Sequence, residues 1–147
     1  MIYLVDTNVL IHLIDRRDAR HQIVRAALRE LRRVGHQLQI APQNVAEFWN
    51  VVTRPVTQNG LGLTPKDADR SLKLIERLFS LMSESSMVYS TWRQLVVEHG
   101  ISGVQVHDAR LVAVMKTHDV THVLTFNISD FTRYAQIGIV AVNPSNI

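Results

Sequence analysis

The sequence predicts an α/β fold in which a parallel sheet of about five strands is covered by helices on both faces. Two observations support this prediction. Short apolar runs rich in β-branched residues alternate along the chain with amphipathic stretches of helical period. The length suits one domain, residues 1–147, which can bury roughly two thirds of its unfolded surface, and no repeat, low-complexity tract or linker divides it.

The first eight residues organise the rest of the chain. Ile2–Val5 form a short apolar run, typical of a strand buried on both faces, which stops at Asp6. A helix over residues 9–13 follows at once and places Asp6 at the carboxyl edge of the sheet, where open α/β sheets bind ligands. Asp6 could equally serve as the N-cap of that helix, because Asp and Thr start helices well.

The middle of the chain contains three helical patterns and two strand patterns. Proline limits one helix at both ends, since Pro42 suits a first helical turn and Pro55 stops the helix. In order, the predicted elements are a helix over about 19–34, a strand over 38–41, a helix over 43–53, a loop over 56–63, a helix from Thr64 to about Met82 and an edge strand over 87–89.

The last third of the chain continues the alternation. Gly100 ends a helix over 91–99, and a helix over 106–116 carries Asp108 in its first turn. A strand over 122–125 leads through a turn at Asn127 into a short helix that ends near Tyr134. A final strand over 138–142 completes the predicted sheet.

The composition excludes several kinds of site. The chain has no cysteine, which rules out disulfides, thiol chemistry and zinc–thiolate centres and agrees with a reducing cytoplasm. No apolar run reaches the roughly 18–20 residues of a membrane helix, and the first residues lack the basic region and cleavage site of a signal peptide. We therefore expect a cytoplasmic protein without a membrane segment.

The charge balance favours a polyanionic partner. The formal net charge is +3, and 13 of the 16 basic residues are arginine, whose planar fork pairs well with phosphate. Arg25, Arg29, Arg32 and Arg33 share one face of the second helix. That face is either an ordinary solvated surface or a patch that steers phosphate or docks an acidic partner.

Four acidic residues lie beside predicted strand ends or helix starts, where a parallel sheet opens its cleft: Asp6, Glu47, Asp108 and Asp130. Glu47 lies in mid-helix beside large apolar residues, so no local structural role accounts for it. Carboxylates crowded into one cleft usually hold hard cations, and oxygen ligands without cysteine favour Mg²⁺ or Mn²⁺. Such ions hold phosphates and activate water.

Two of these acids also have a purely structural interpretation. Asp108 in a first turn is favoured by the helix dipole alone. Asn127 can cap the last short helix with Asp130 at its third position, an arrangement like a capping box. Phe126 and Phe131 would then form a hydrophobic staple around that cap.

At these residues the chain resembles PIN-domain nucleases, most closely the VapC-type toxins of bacterial toxin–antitoxin pairs. The similarity extends from Ile2 to Val142 and is carried by four segments: VDTN at 5–8, NVAEF at 44–48, HDAR at 107–110 and TFNISDF at 125–131. The resemblance implies a three-layer α/β/α fold, a divalent-metal endoribonuclease activity, a homodimer and an antitoxin partner.

The resemblance also assigns the ligands of the metal. By this resemblance Asp6, Glu47 and Asp108 are metal ligands, and the fourth ligand lies in the segment 125–131. There Asn127 stands where many relatives have an acid, which leaves Asp130 as the charged residue and weakens the case for a second metal. Either side chain could complete the site through a water.

The hypothesis is a ribonuclease in which metal-bound water attacks a phosphodiester and Asp6, Glu47, Asp108 and Asp130 are the catalytic acids. Thr7 and Asn8 would orient ligands at the strand end. Arg54 lies on the helix face of Glu47 and Arg110 lies two residues after Asp108, so both are candidates to contact backbone phosphates.

Other functions explain the sequence less well. A non-catalytic PIN module that binds RNA or protein is the main alternative, supported by the missing acid at Asn127. The His-Asp pairs at 107–108 and 118–119 suggest an HD phosphohydrolase, but that class has an all-helical frame with further histidines. A haloacid dehalogenase needs a second acid where Asn8 stands, and no nucleophile elbow supports a hydrolase triad.

Overall fold

A computed structural model describes the whole chain, Met1–Ile147, and confirms the predicted α/β fold. All strand pairs are parallel, and the sheet has the order β3-β2-β1-β4-β5. The strands are β1 (Ile2–Val5), β2 (Gln37–Ile40), β3 (Ser80–Leu81), β4 (His122–Leu124) and β5 (Val140–Val142).

Six α-helices connect and cover the strands: α1 (Thr7–Ile14), α2 (His21–Arg33), α3 (Pro42–Thr53), α4 (Pro65–Leu78), α5 (Val88–Glu98) and α6 (Val106–Thr117). Short 3₁₀ turns lie over Val56–Gln58, Gly103–Gln105, Ile128–Asp130, Thr132–Ile137 and Pro144–Asn146. None of the helices is long and apolar enough to cross a membrane.

Two hydrophobic cores lie on opposite faces of the sheet, which makes the molecule three-layered. On β1, Leu4 enters the core formed with α5 and α6, while Tyr3 and Val5 enter the core formed with α1 to α4. This division follows from the alternation of side chains along a strand. The apolar run of β1 is therefore buried on both faces, as predicted.

The central strand marks the point where the strand order reverses. The chain proceeds from β1 to β2 and β3 on one side, and β4 and β5 are then added on the other side of β1. Ligands in open α/β sheets bind outside the carboxyl ends of the strands at such a point. The fold therefore predicts a ligand site at the residues that follow β1 and β4.

One strand was predicted in the wrong place. Residues 87–89 do not form an edge strand, because α5 begins at Val88. The edge strand is instead β3, and α4 ends at Leu78 rather than near Met82. Phe79 and Met82 flank the two-residue strand and are both buried, so their spacing continued the helical pattern of α4 in the sequence.

The arginine face of α2 is partly engaged in local contacts. Arg33 forms an ion pair with Glu30, and the guanidinium of Arg32 donates to the carbonyl of Leu78 and lies over the ring of Phe79. Arg25 and Arg29 are exposed. All four side chains are thus exposed, and contacts within the chain engage two of them, Arg32 and Arg33.

Candidate active site

The predicted acidic residues line one cleft at the carboxyl edge of the sheet. Asp6 follows β1, Glu47 lies on α3, Asp108 lies in the first turn of α6, and Asp130 lies in the turn after β4. We call this the acidic cleft. Its volume is about 330 Å³, and its lining residues are Asp6, Thr7, Asn8, Ile11, His12, Glu47, Val51, Asp108, Asn127 and Asp130.

Asp6 both caps a helix and lines the acidic cleft. It is the N-cap of α1, and its Oδ1 accepts a hydrogen bond from the backbone of Thr7 at 2.8 Å. Its Oδ2 accepts from Asn8 Nδ2 at 2.9 Å and from Thr125 Oγ1 at 2.8 Å. Only 6% of the residue is exposed. The carboxylate therefore has a fixed orientation at the floor of the cleft.

Thr125 joins the ends of β1 and β4. Its hydroxyl donates to Asp6 and accepts from Asn8 Nδ2 and from the backbone of Asn127, both at 3.0 Å. Asn8 Oδ1 in turn accepts from the backbone of Phe126 at 3.1 Å. Because one hydroxyl has one donor and two acceptor positions, Thr125 is fully satisfied. The role of Thr125 was not predicted, although a hydroxyl at the end of a predicted strand was the available signal.

Glu47 is held by neighbours on α1 and α3. One oxygen accepts from Thr7 Oγ1 at 2.8 Å, and the other accepts from Gln43 Nε2 at 2.8 Å. Asn44 is completely buried, and its side-chain amide donates to Thr7 Oγ1 at 3.2 Å. Asn44 Oδ1 also accepts from the backbone of Ala41, at the start of α3. These contacts make Thr7 and Asn44 positioning residues for Glu47.

Burial and mutual repulsion perturb two of the acids. Burial raises the pKa of Asp6 to about 6, with a smaller rise from the charges of Glu47 and Asp130 and an opposing effect of its hydrogen bonds. Burial also raises the pKa of Asp108 to about 7, assisted by the charges of Asp130, Asp6 and Glu47. The exposed Arg133 only partly offsets this rise. The four carboxylates thus share one electrostatic environment.

The chemistry of these side chains fits a hydrated divalent cation. All are oxygen donors, which suit Mg²⁺ or Mn²⁺, and a cation would offset the repulsion that raises the pKa of Asp108. No three carboxylate or imidazole groups lie close enough together to hold an ion directly. Water between the ion and some carboxylates would bridge the remaining distance, and Mg²⁺ usually keeps several waters.

The capping role predicted for Asn127 is wrong. Asn127 precedes the turn over Ile128–Asp130, but its side chain makes no capping hydrogen bond. The two rings of the expected staple pack into different cores, Phe126 with α1 to α4 and Phe131 with α5 and α6. Asn127 and Asp130 instead line the acidic cleft, and both are exposed.

The two predicted phosphate-binding arginines lie outside the lining of the acidic cleft. Arg110 forms an ion pair with Glu84 and donates to Gln43 Oε1 at 3.2 Å, so it reaches Glu47 only through Gln43. Arg54 follows the last turn of α3, and its Nε is buried without a hydrogen-bond partner. By contrast, Thr7 and Asn8 line the cleft, with their side chains bonded to Glu47 and Asp6.

Several solved structures have a similar fold. VapBC2 of Rickettsia felis, bound to promoter DNA, has a TM-score of 0.73 at 17% identity over 97% of this chain and 98% of that chain. FitAcB of Neisseria gonorrhoeae has a TM-score of 0.64 at 22% identity over the full length of both chains. VapC20 of Mycobacterium tuberculosis, a sarcin–ricin loop cleaving toxin, has a TM-score of 0.62 at 19% identity over 97% and 98%.

The family is established by sequence. No curated protein matches the chain, but the model of the PIN domain matches residues 3–137. That match includes β1 from Tyr3 onward, β4 and every residue that lines the acidic cleft. Since it spans most of the chain, the protein belongs to the PIN-domain family.

Proposed function

We propose that the protein is a divalent-metal-dependent endoribonuclease and the toxin of a toxin–antitoxin pair. The observation that carries the proposal is the acidic cleft, where four carboxylates at the switch point of a PIN fold share one electrostatic environment. Two proteins of similar fold support it, a toxin–antitoxin complex from Klebsiella pneumoniae and VapC20, a toxin that cleaves the sarcin–ricin loop.

Asp6, Glu47 and Asp108 would hold Mg²⁺ or Mn²⁺, with Asp130 or Asn127 completing the site. The ion, when bound, would polarise a phosphoryl oxygen and provide an activated water. Hydrogen bonds within the chain fix the two innermost carboxylates. Thr125 and Asn8 orient Asp6, while Thr7 and Gln43 orient Glu47.

We further propose that the protein acts in the cytoplasm as a homodimer and that an antitoxin controls it. The formal charge of +3 and the exposed arginines of α2 suit an acidic partner or an RNA backbone. Arg54 and Arg110 stay candidates for contacts with RNA phosphates at the rim of the acidic cleft. To make such a contact, Arg110 would have to release Glu84.

Cleavage of structured RNA by the purified protein tests the proposed function. The reaction is run with Mn²⁺, with Mg²⁺ and with a chelator, and the products are mapped on a sequencing gel. Metal-dependent cuts within the RNA are expected. Complete absence of cleavage with either metal would instead favour the alternative, a non-catalytic PIN module that binds RNA or protein, for which Asn127 and the separation of the acids are the supporting observations.

The fourth acidic position can be tested separately. We expect Asp130→Ala to lower turnover roughly a hundredfold or more if it helps hold the ion. Its stability cost should stay below about 0.5 kcal/mol, since the side chain is exposed. Asn127→Asp should strengthen metal binding by adding a charge to the cleft. The measurements are Tm and RNA cleavage across a Mn²⁺ titration, and an Asp130→Ala protein with full activity would remove Asp130 from the site.

A further inference from the structure

The acidic cleft has one basic side chain among its ten lining residues, His12. His12 lies on α1 four residues after Asn8, so both side chains project from the same face of the helix. The carboxylates of the cleft can bind cations, but they do not supply a cationic acid at neutral pH. His12 is therefore the one side chain of the lining suited to that role.

The position of His12 is determined by contacts on three sides. Its Nδ1 lies 3.0 Å from Oδ1 of Asp18, and that oxygen is itself fixed by the backbone of Arg20 at 2.7 Å. The ring meets Phe126 edge-on, with centroids 5.2 Å apart, and the guanidinium of Arg20 lies 4.7 Å from the centre of the same Phe126 ring. The backbone carbonyl of His12 accepts from Nδ1 of His21 at 3.1 Å.

These contacts leave one ring nitrogen for chemistry in the cleft. Nδ1 is buried without a hydrogen-bond partner and lies against the carboxylate of Asp18. The side chain as a whole is 18% exposed and contributes to the wall of the cleft, which leaves Nε2 as the accessible nitrogen. A carboxylate beside one imidazole nitrogen orients the ring, as in the catalytic triad of hydrolases.

We propose that His12 is the general acid of the RNA cleavage proposed above and that Asp18 is its positioning residue. The inference rests on the proposed nuclease function. Water adds to phosphorus, and the bond between phosphorus and the leaving ribose oxygen breaks with its electron pair on that oxygen. The leaving oxygen takes the Nε2 proton of His12. The proton of the attacking water passes to solvent, from which His12 is protonated again.

The first test is the turnover of His12→Gln at saturating Mn²⁺. A general acid typically contributes a factor of 10²–10⁴, so kcat should fall by about a hundredfold or more with little change in KM. His36→Gln is the matched control, because His36 lies at the opposite end of β1 beside the amino group of Met1. The control should keep the kcat of the wild type. Equal kcat values for all three proteins would overturn the proposal.

A sulfur substrate separates proton donation from a merely structural role. Oligonucleotides are made with sulfur in place of oxygen at the 3′-bridging or the 5′-bridging position of one linkage. A thiolate leaves without protonation, so His12→Gln should cleave the substrate whose sulfur leaves at nearly the wild-type rate. An undiminished defect on both sulfur substrates would show that His12 does not protonate the leaving group.

Asp18→Asn provides a second readout that does not depend on the folding of His12→Gln. The charges that face His12 are Asp18, Arg20 and the carboxylates of the acidic cleft. Asp18→Asn should lower kcat for RNA about tenfold or more and should cleave the substrate whose sulfur leaves at nearly the wild-type rate, and an unchanged kcat for RNA would overturn the assignment. Wild-type protein that cleaves neither RNA nor sulfur substrates would contradict the nuclease function itself, whereas active wild type with unaffected variants would contradict this inference alone.

Discussion

Asp6→Asn is expected to lower metal-dependent RNA cleavage by about 10³-fold or more, since a metal ion contributes several kcal/mol to transition-state stabilisation. The fold should survive, because asparagine is also a good N-cap and can keep the bond from the backbone of Thr7. The side-chain NH2 group of the new asparagine would face the donor Nδ2 of Asn8. This loss of a hydrogen bond should lower the free energy of unfolding by on the order of 1–2 kcal/mol.

The same substitution should abolish the stabilisation that Mn²⁺ gives to the wild type, because a ligand that binds only the folded state raises Tm. The measurements are RNA cleavage and Tm over a Mn²⁺ titration. Asp67→Asn serves as the control, since Asp67 is a partly exposed acid on α4, away from the acidic cleft, whose carboxylate pairs with Arg70. An equal rise of Tm in Asp6→Asn and wild type would place the metal elsewhere.

Asp108→Asn is expected to stabilise the metal-free protein at pH 8 and to stabilise it clearly less at pH 5. The pKa of Asp108 is raised to about 7 in the folded protein, against about 4 in an unfolded chain. The folded state therefore binds the proton more tightly. The resulting stabilisation is complete below pH 4 and is lost as pH rises through 7.

Asparagine at position 108 removes this pH-dependent loss. Because Asp108 is only half-buried, solvent screening should limit the effect to about 1–2 kcal/mol at pH 8. That energy corresponds to a rise of a few degrees in Tm for a chain of this size. The measurement is Tm from pH 5 to pH 8 in the presence of a chelator.

The Asp67→Asn protein again provides the control and should follow the wild type. Asp6, whose pKa is raised to about 6, adds a similar dependence of Tm on pH to the wild type and to both variants. If the curves of Tm against pH for Asp108→Asn and wild type run parallel, repulsion within the cleft does not destabilise the metal-free protein. The variant should also lose RNA cleavage, since Asp108 is a proposed ligand of the metal.

The convergence of the acids was predictable because it follows from topology. Residues after parallel strands meet at one edge of the sheet, so Asp6 and Asp130 could be brought together without knowledge of any side-chain contact. The position of the edge strand was harder to predict, since Phe79 and Met82 are buried at a spacing that also suits a helix. A strand of two residues has too few positions to show its own alternation.

The partners of individual side chains were not predictable from local patterns. Arg110 points to Glu84 because β3 and the segment after it pass near α6, which depends on the correct edge strand. Thr125 acts through a residue far away in the chain. The local pattern around Asn127 favoured a cap, but the hydroxyl of Thr125 already accepts the backbone donor of Asn127.

The bond between Asp6 and Thr125 joins residues 119 positions apart. During synthesis β1 is made before its neighbour β4 and before the hydroxyl that orients Asp6, with β2, β3 and six α-helices made in between. Pairing over such a separation is slow to form, because the closure of a long loop precedes any gain from the contact. A growing chain therefore cannot assemble the acidic cleft before β4 has been made. Whatever the cleft does begins only after β4 has paired with β1.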